Sequence, residues 1–134
     1  MNKNIVGLLC SPIIAKEVGI EEAIFLHLIC FWVELNKRNE STKHYKNGKY
    51  WVYYSDTKIC LERFPFFKPH QIKRMRNNLK KKGYIETGSY NPYGPDKTTW
   101  YTYTDIVFEV AGLKYIEKIL NKNKSADYLS DKSL

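Results

Sequence analysis

A chain of 134 residues suffices for one domain with a core and is too short for two. Its 43% hydrophobic and 15% aromatic content excludes a disordered chain, and its net charge of +8 points to polyanionic partners. Three widely spaced cysteines (Cys10, Cys30, Cys60), without a visible secretory signal, read as reduced cytosolic thiols and not as a disulfide framework.

The apolar stretch from Ile5 to Cys10 lacks the small-residue cleavage site of a signal peptide. Ser11 is placed to cap a helix that Pro12 opens and Gly19 ends, which predicts a helix over 12–18. A longer helix is expected from Ile20 or Glu21 to Lys37, with Glu21 and Glu22 in the first turn, where the helix dipole favours acids. Its centre, AIFLHLICFWV, is apolar on nearly every face, so it is buried on several sides or meets another subunit. This run is about half the ~20 residues a membrane span needs, and a soluble, cytoplasmic protein with no membrane partner is expected. His27 and Cys30 have metal-ligand spacing, but no C-x-x-C pair accompanies them. A core histidine and a core thiol are the expected roles, with no metal or other cofactor.

Residues 38–49 are polar, with Asn47-Gly48 as a turn signal, and Tyr50 to Tyr54 read as a short aromatic strand. Ser55 can cap a helix over 56–63, which Pro65 stops within the hydrophobic turn Phe64 to Phe67. Lys68 or Pro69 starts a further helix, ended by Gly83. Two strand-like runs, Tyr84 to Tyr90 and Thr98 to Thr104, flank the turn-rich NPYGPDK and predict a hairpin. Asp105 then caps a last helix to about Asn121, with Ile106, Val110, Leu113, Ile116, Ile119 and Leu120 as its apolar stripe. Residues 122–134 read as a loose polar tail, so the domain is placed at 1–121. This order predicts a mainly α fold with a small β-sheet, a winged helix-turn-helix with an extra C-terminal helix.

Charge is distributed very unevenly along the chain. Residues 68–82, KPHQIKRMRNNLKKK, hold seven Lys or Arg and no acid. Residues 1–67 carry nine basic and seven acidic residues, and residues 83–134 carry six and seven, so nearly all the net charge lies on one helix. Helical spacing puts Ile72, Met75 and Leu79 on one side, as the packed face. The opposite side carries His70, Lys73, Arg74, Asn77 and Lys81, flanked by Gln71 and Asn78. Arg and Lys can donate to guanine, while Asn and Gln can pair with adenine. His70, Gln71, Lys73, Arg74 and Asn77 are therefore expected at base edges, with Lys68 at the helix start and Lys80, Lys81 and Lys82 along phosphates. A solvated surface helix would carry mixed signs, so duplex DNA is the expected partner. The hairpin tip, with Asn91, Tyr93, Gly94 and Lys97, either lies against DNA or is an ordinary exposed turn. Tyr50, Trp51, Tyr53, Trp100, Tyr101 and Tyr103 read as core between sheet and helices in preference to stacking platforms for single strands. No phosphate-binding glycine loop, nucleophile elbow or carboxylate pair marks an enzyme.

The segments EEAIFLHLICFWVE, GKYWVYYS, RFPFF, IKRMRNNLKKKGYIETG and DKTTWYTYT, in order from about Ile20 to Thr104, carry a family resemblance. The chain resembles the N-terminal winged-helix domain of replication initiators (replisome organisers) from phages and plasmids of low-GC Gram-positive bacteria. That resemblance implies a winged-helix fold and recognition of origin-type DNA repeats, often as a dimer, by the helix from Lys68 and the wing near Lys97. Such initiators usually continue into a second domain that contacts replication proteins, and here one helix and a short tail follow the wing. A stand-alone winged-helix transcriptional regulator is therefore the alternative, and a module binding an acidic protein partner is the alternative of another class.

Overall fold

The Ser11 hydroxyl accepts the Ile14 amide (3.2 Å) and Pro12 fills the first turn, so α1 (Pro12–Val18) begins where the sequence places it. The computed structural model describes residues 10–94, 96 and 98–120. Gly19 turns the chain straight into α2 (Ile20–Arg38), whose first turn carries Glu21 and Glu22. A short 3-10 helix (Thr42–His44) leads into a two-stranded hairpin, β1 (Tyr45–Lys46) and β2 (Lys49–Tyr50). Asn47 and Gly48 take φ of 52° and 79°, the left-handed pair that a tight hairpin turn requires. Then follow β3 (Val52–Tyr54), α3 (Asp56–Glu62), α4 (Pro69–Lys81), β4 (Ile85–Gly88), β5 (Thr99–Tyr103) and α5 (Ile106–Ala111). Residues 113–120 form a last helical segment, α6. The fold is mainly helical with a small antiparallel sheet.

Two expected elements are divided. The aromatic run at 50–54 breaks at Trp51, whose amide donates to the His44 carbonyl (2.9 Å) and whose indole donates to the Lys46 carbonyl (2.9 Å). Trp51 is a corner between the small hairpin and the main sheet. The helix expected from Asp105 to Asn121 is interrupted at Gly112, where φ is 88° and the Gly112 amide closes α5 on Phe108. Asn121 and the tail at 122–134 lie outside the described residues.

In the main sheet β5 is central, pairing antiparallel with β3 and with β4. Strand alternation sends Tyr101 and Tyr103 toward the helices. The Tyr101 ring stands edge-on to Phe25 of α2 (5.6 Å between centroids, 84°), and the Tyr103 hydroxyl donates to Glu34 (2.5 Å). Burial lifts the Tyr103 hydroxyl well above its ordinary pKa, and the Glu34 carboxylate adds to the effect. The main core joins Phe25, Leu26, Ile29, Cys30 and Val33 of α2 to Ile14, Ile59, Phe64, Ile72, Met75, Leu79 and Val107. Ile116 and Ile119 of α6 complete it. The largely apolar α2 is thus the central helix, packed by α1, α4 and the sheet.

The other face of the sheet is also covered, and the cover is aromatic. Trp100 packs on Tyr53 (4.7 Å) and Tyr90 (5.5 Å), Trp51 packs on Tyr90 (5.1 Å), and His44 stacks on Tyr53 (5.3 Å, 21°). Trp51 and Trp100 are buried there, apart from the main core. Of the six aromatics expected as core between sheet and helices, only Tyr50, Tyr101 and Tyr103 meet that core; Trp51, Tyr53 and Trp100 form the other layer, because strand alternation turns them to the opposite face.

Asn91 ties the β4–β5 connection to this layer. Its Oδ1 accepts the Trp100 indole N–H (2.7 Å), and its Nδ2 donates to the Asp96 and Thr98 carbonyls (3.0 and 2.9 Å). Asn91→Ala leaves a buried indole N–H unpaired and is expected to cost about 2 kcal/mol in denaturant unfolding. A loss below about 0.5 kcal/mol would show that the loop holds itself.

Candidate nucleic-acid interface

The turn between α3 and α4 is built by phenylalanines. The Phe64 amide returns to the Ile59 carbonyl (3.0 Å) and the Phe67 amide to the Phe64 carbonyl (2.9 Å). Both rings are buried, while Phe66 between them is exposed. Pro65 prevents α3 from continuing, and Pro69 opens α4 at its first position. The Lys68 amide donates to Gln71 Oε1 (2.9 Å), half of a capping box. Ile72, Met75 and Leu79 are fully buried, as their spacing requires.

The face opposite that stripe is cationic. Lys68, His70, Lys73, Arg74, Asn77, Lys80, Lys81 and Lys82 are all exposed, and Gln71 is half-buried with its carbonyl oxygen in the cap. Tyr93, in the β4–β5 connection, is 68% exposed. Lys97 lies outside the described residues.

The flanks of α4 are occupied. On one flank, Arg74 Nη2 meets Glu21 Oε1 (3.2 Å), and Asn78 Nδ2 donates to Glu22 Oε2 (2.7 Å). The first-turn acids of α2 thus also position two α4 side chains. With both partners of the Arg74 pair largely in solvent, the contact is weak and readily exchanged for another anion. On the other flank Arg76 turns inward, and its Nη1 donates to Asp56 Oδ1 (2.6 Å) and to the Tyr101 hydroxyl (3.0 Å). Burial opposes the Arg76 charge, but the Asp56 and Tyr101 contacts outweigh it and hold its pKa above the ordinary value. Burial likewise pushes Tyr101 up to about 12, with Arg76 partly opposing the rise.

The seven basic residues of 68–82 therefore divide by role. Arg76 locks α3, α4 and β5 together, and Arg74 touches α2. Lys82 Nζ donates to the Glu17 carbonyl (3.3 Å), and Lys68, Lys73, Lys80 and Lys81 make no ion pair with any described carboxylate. Wheel geometry places Arg76 only at the edge of the packed side, so its inward turn depends on Asp56 and Tyr101, which come from elsewhere in the chain. Beside Arg76, a cleft of about 400 Å³ is lined by Ser55, Asp56, Asp96, Thr98 and Thr99. Its two carboxylates make it a poor seat for phosphate.

The residues considered for metal binding are placed otherwise. His27 Nδ1 lies 2.6 Å from the Tyr115 hydroxyl, and Cys30 is fully buried, which pushes its thiol well above the ordinary pKa. Among the described residues no group of His, Cys, Asp and Glu is arranged to hold a metal ion. No described helix is long and apolar enough to cross a membrane. No family model, curated protein or solved structure matches the chain.

Proposed function

We propose that this protein is a winged helix-turn-helix DNA-binding protein whose α4 enters the major groove of duplex DNA. The architecture supports that reading. Two helices joined by a tight turn are followed at once by a β-hairpin, and a third strand pairs on the far side of the hairpin's second strand. The observation that carries the proposal is the outward row of His70, Lys73, Asn77, Lys80 and Lys81. These residues are exposed, and no acid within 68–82 offsets their charge. A phosphate backbone relieves that repulsion, while Asn77 and Lys73 are suited to base edges. Arg74 joins them by exchanging Glu21 for the nucleic acid, and Tyr93 and Lys97 contribute from the wing.

Within DNA binding, the resemblance to phage and plasmid initiators favours origin recognition by a cytoplasmic homodimer, with transcriptional control as the alternative. Fluorescence anisotropy on labelled random duplex, over a salt series, tests the DNA reading. Affinity is expected to fall steeply with salt, with a logarithmic slope of about −0.9 for each phosphate contacted. Lys73→Ala with Arg74→Ala is expected to shallow that slope by about 1 to 2. Absence of binding at low salt sinks the proposal and turns attention to acidic protein partners.

A further inference from the structure

A second concentration of positive charge lies away from α4. Residues 37–50 carry Lys37, Arg38, Lys43, Lys46 and Lys49 against a single acid, Glu40. With residues 68–82 they account for more than the whole net charge, so the rest of the chain is net acidic. Lys37 and Arg38 end α2, and in the segment that follows His44 stacks on Tyr53 and the Trp51 indole holds the Lys46 carbonyl. The hairpin packs on α2 through β2, whereas α4 packs on α2, α3 and β4 and is joined through Arg76 to Tyr101. The hairpin is thus a separate element from α4, and a duplex seated on α4 does not by itself account for its charge.

The two strands of the hairpin mirror each other in sequence, Tyr-Lys and Lys-Tyr on either side of Asn47-Gly48. Its register sets Tyr45 opposite Tyr50 and Lys46 opposite Lys49. Like charges directly opposite one another destabilise a strand pair. Glu86 relieves one of them, accepting from Lys49 through both carboxylate oxygens (2.9 and 2.8 Å). Lys37, Arg38, Lys43 and Lys46 have no such ion pair among the described residues. Tyr45 leans edge-on against Tyr50 (4.9 Å, 60°) and is 48% exposed. Lys43 Nζ lies over the Tyr53 ring (5.5 Å), so it is held by an aromatic face and not by a carboxylate. An exposed aromatic ring held from one side within a strongly basic segment is the combination that takes an unstacked base and its phosphates.

We propose that residues 37–50 form a second nucleic-acid site, one for a single strand. Tyr45 is its stacking platform, and Arg38, Lys43 and Lys46 are its phosphate contacts. This site does not depend on the duplex reading of α4.

The test is anisotropy of the full chain with labelled oligothymidylate and, separately, with labelled duplex. Tyr45→Ala and Lys43→Ser with Lys46→Ser are each expected to weaken oligothymidylate binding about tenfold. Both should leave duplex affinity within about twofold, and Tyr45→Phe should keep full single-strand binding because the ring remains. Lys73→Ala with Arg74→Ala should show the reverse preference. The proposal is overturned if the wild type fails to bind oligothymidylate at low salt, or if hairpin and α4 variants weaken both probes alike. Displacement of the oligonucleotide by polyglutamate as readily as by unlabelled oligothymidylate would instead assign the surface to acidic proteins.

Discussion

Arg76→Ala is expected to lower stability by about 3 kcal/mol, roughly 10 °C in thermal midpoint, while leaving duplex affinity of the folded protein nearly unchanged. The Arg76 and Asp56 side chains are only 13% and 26% exposed, so water does little to replace the lost partner. The substitution strands the Asp56 carboxylate and removes a donor from the hydroxyl of Tyr101, a residue only 1% exposed. Removing both charges, as in Arg76→Met with Asp56→Leu, is expected to cost less than Arg76→Ala alone, because no buried charge is then unpaired. Equilibrium unfolding of the three proteins checks this. If Arg76→Ala were as stable as wild type but deficient in DNA binding, the inward role of Arg76 would be wrong.

The larger loss is expected at Phe25. Its ring is fully buried between the two halves of the structure, edge-on to Phe64 (6.3 Å, 74°) and to Tyr101 (5.6 Å, 84°). Phe64 belongs to the turn that aims α4, and Tyr101 belongs to the central strand. Phe25→Ala removes the apolar surface they share and leaves a cavity that neither rigid neighbour can fill, at about 4 kcal/mol. Against a total stability of order 10 kcal/mol for such a domain, that is a large fraction. Denaturant titration followed by tryptophan fluorescence gives the number directly. A cost under about 1.5 kcal/mol would mean that the core closes over the gap.

Much of this fold was legible in residue order because strong local signals agreed with tertiary packing. Ser11 with Pro12 located α1, and the turn at Phe64 to Phe67 separated α3 from α4. The spacing of Ile72, Met75 and Leu79 named the buried face of α4, and with it the outward cationic face. What escaped had weak or misleading local signals. The two-residue strands β1 and β2 are too short to show alternation, and only Asn47-Gly48 hinted at them. The apolar stripe of the last helix runs on across Gly112, so periodicity concealed the break there. Burial of the second sheet face was unreadable, because Trp51 and Trp100 pack on Tyr90 only when three separated segments come together. Of the candidate site, helical spacing marked the outward residues of α4. It could not show that Arg76 has partners 20 and 25 residues away, or that Arg74 touches Glu21.

The most direct test of the account compares two pairs of lysines that differ in place and not in charge. Lys73→Ala with Lys81→Ala removes two positive charges from the outward face of α4, and Lys114→Ala with Lys118→Ala removes two from exposed positions on α6. In duplex anisotropy at fixed salt, the α4 pair is predicted to weaken binding at least tenfold and the α6 pair less than about threefold. Equal losses from both pairs would contradict the account, reducing α4 to one contributor among many to a nonspecific positive charge.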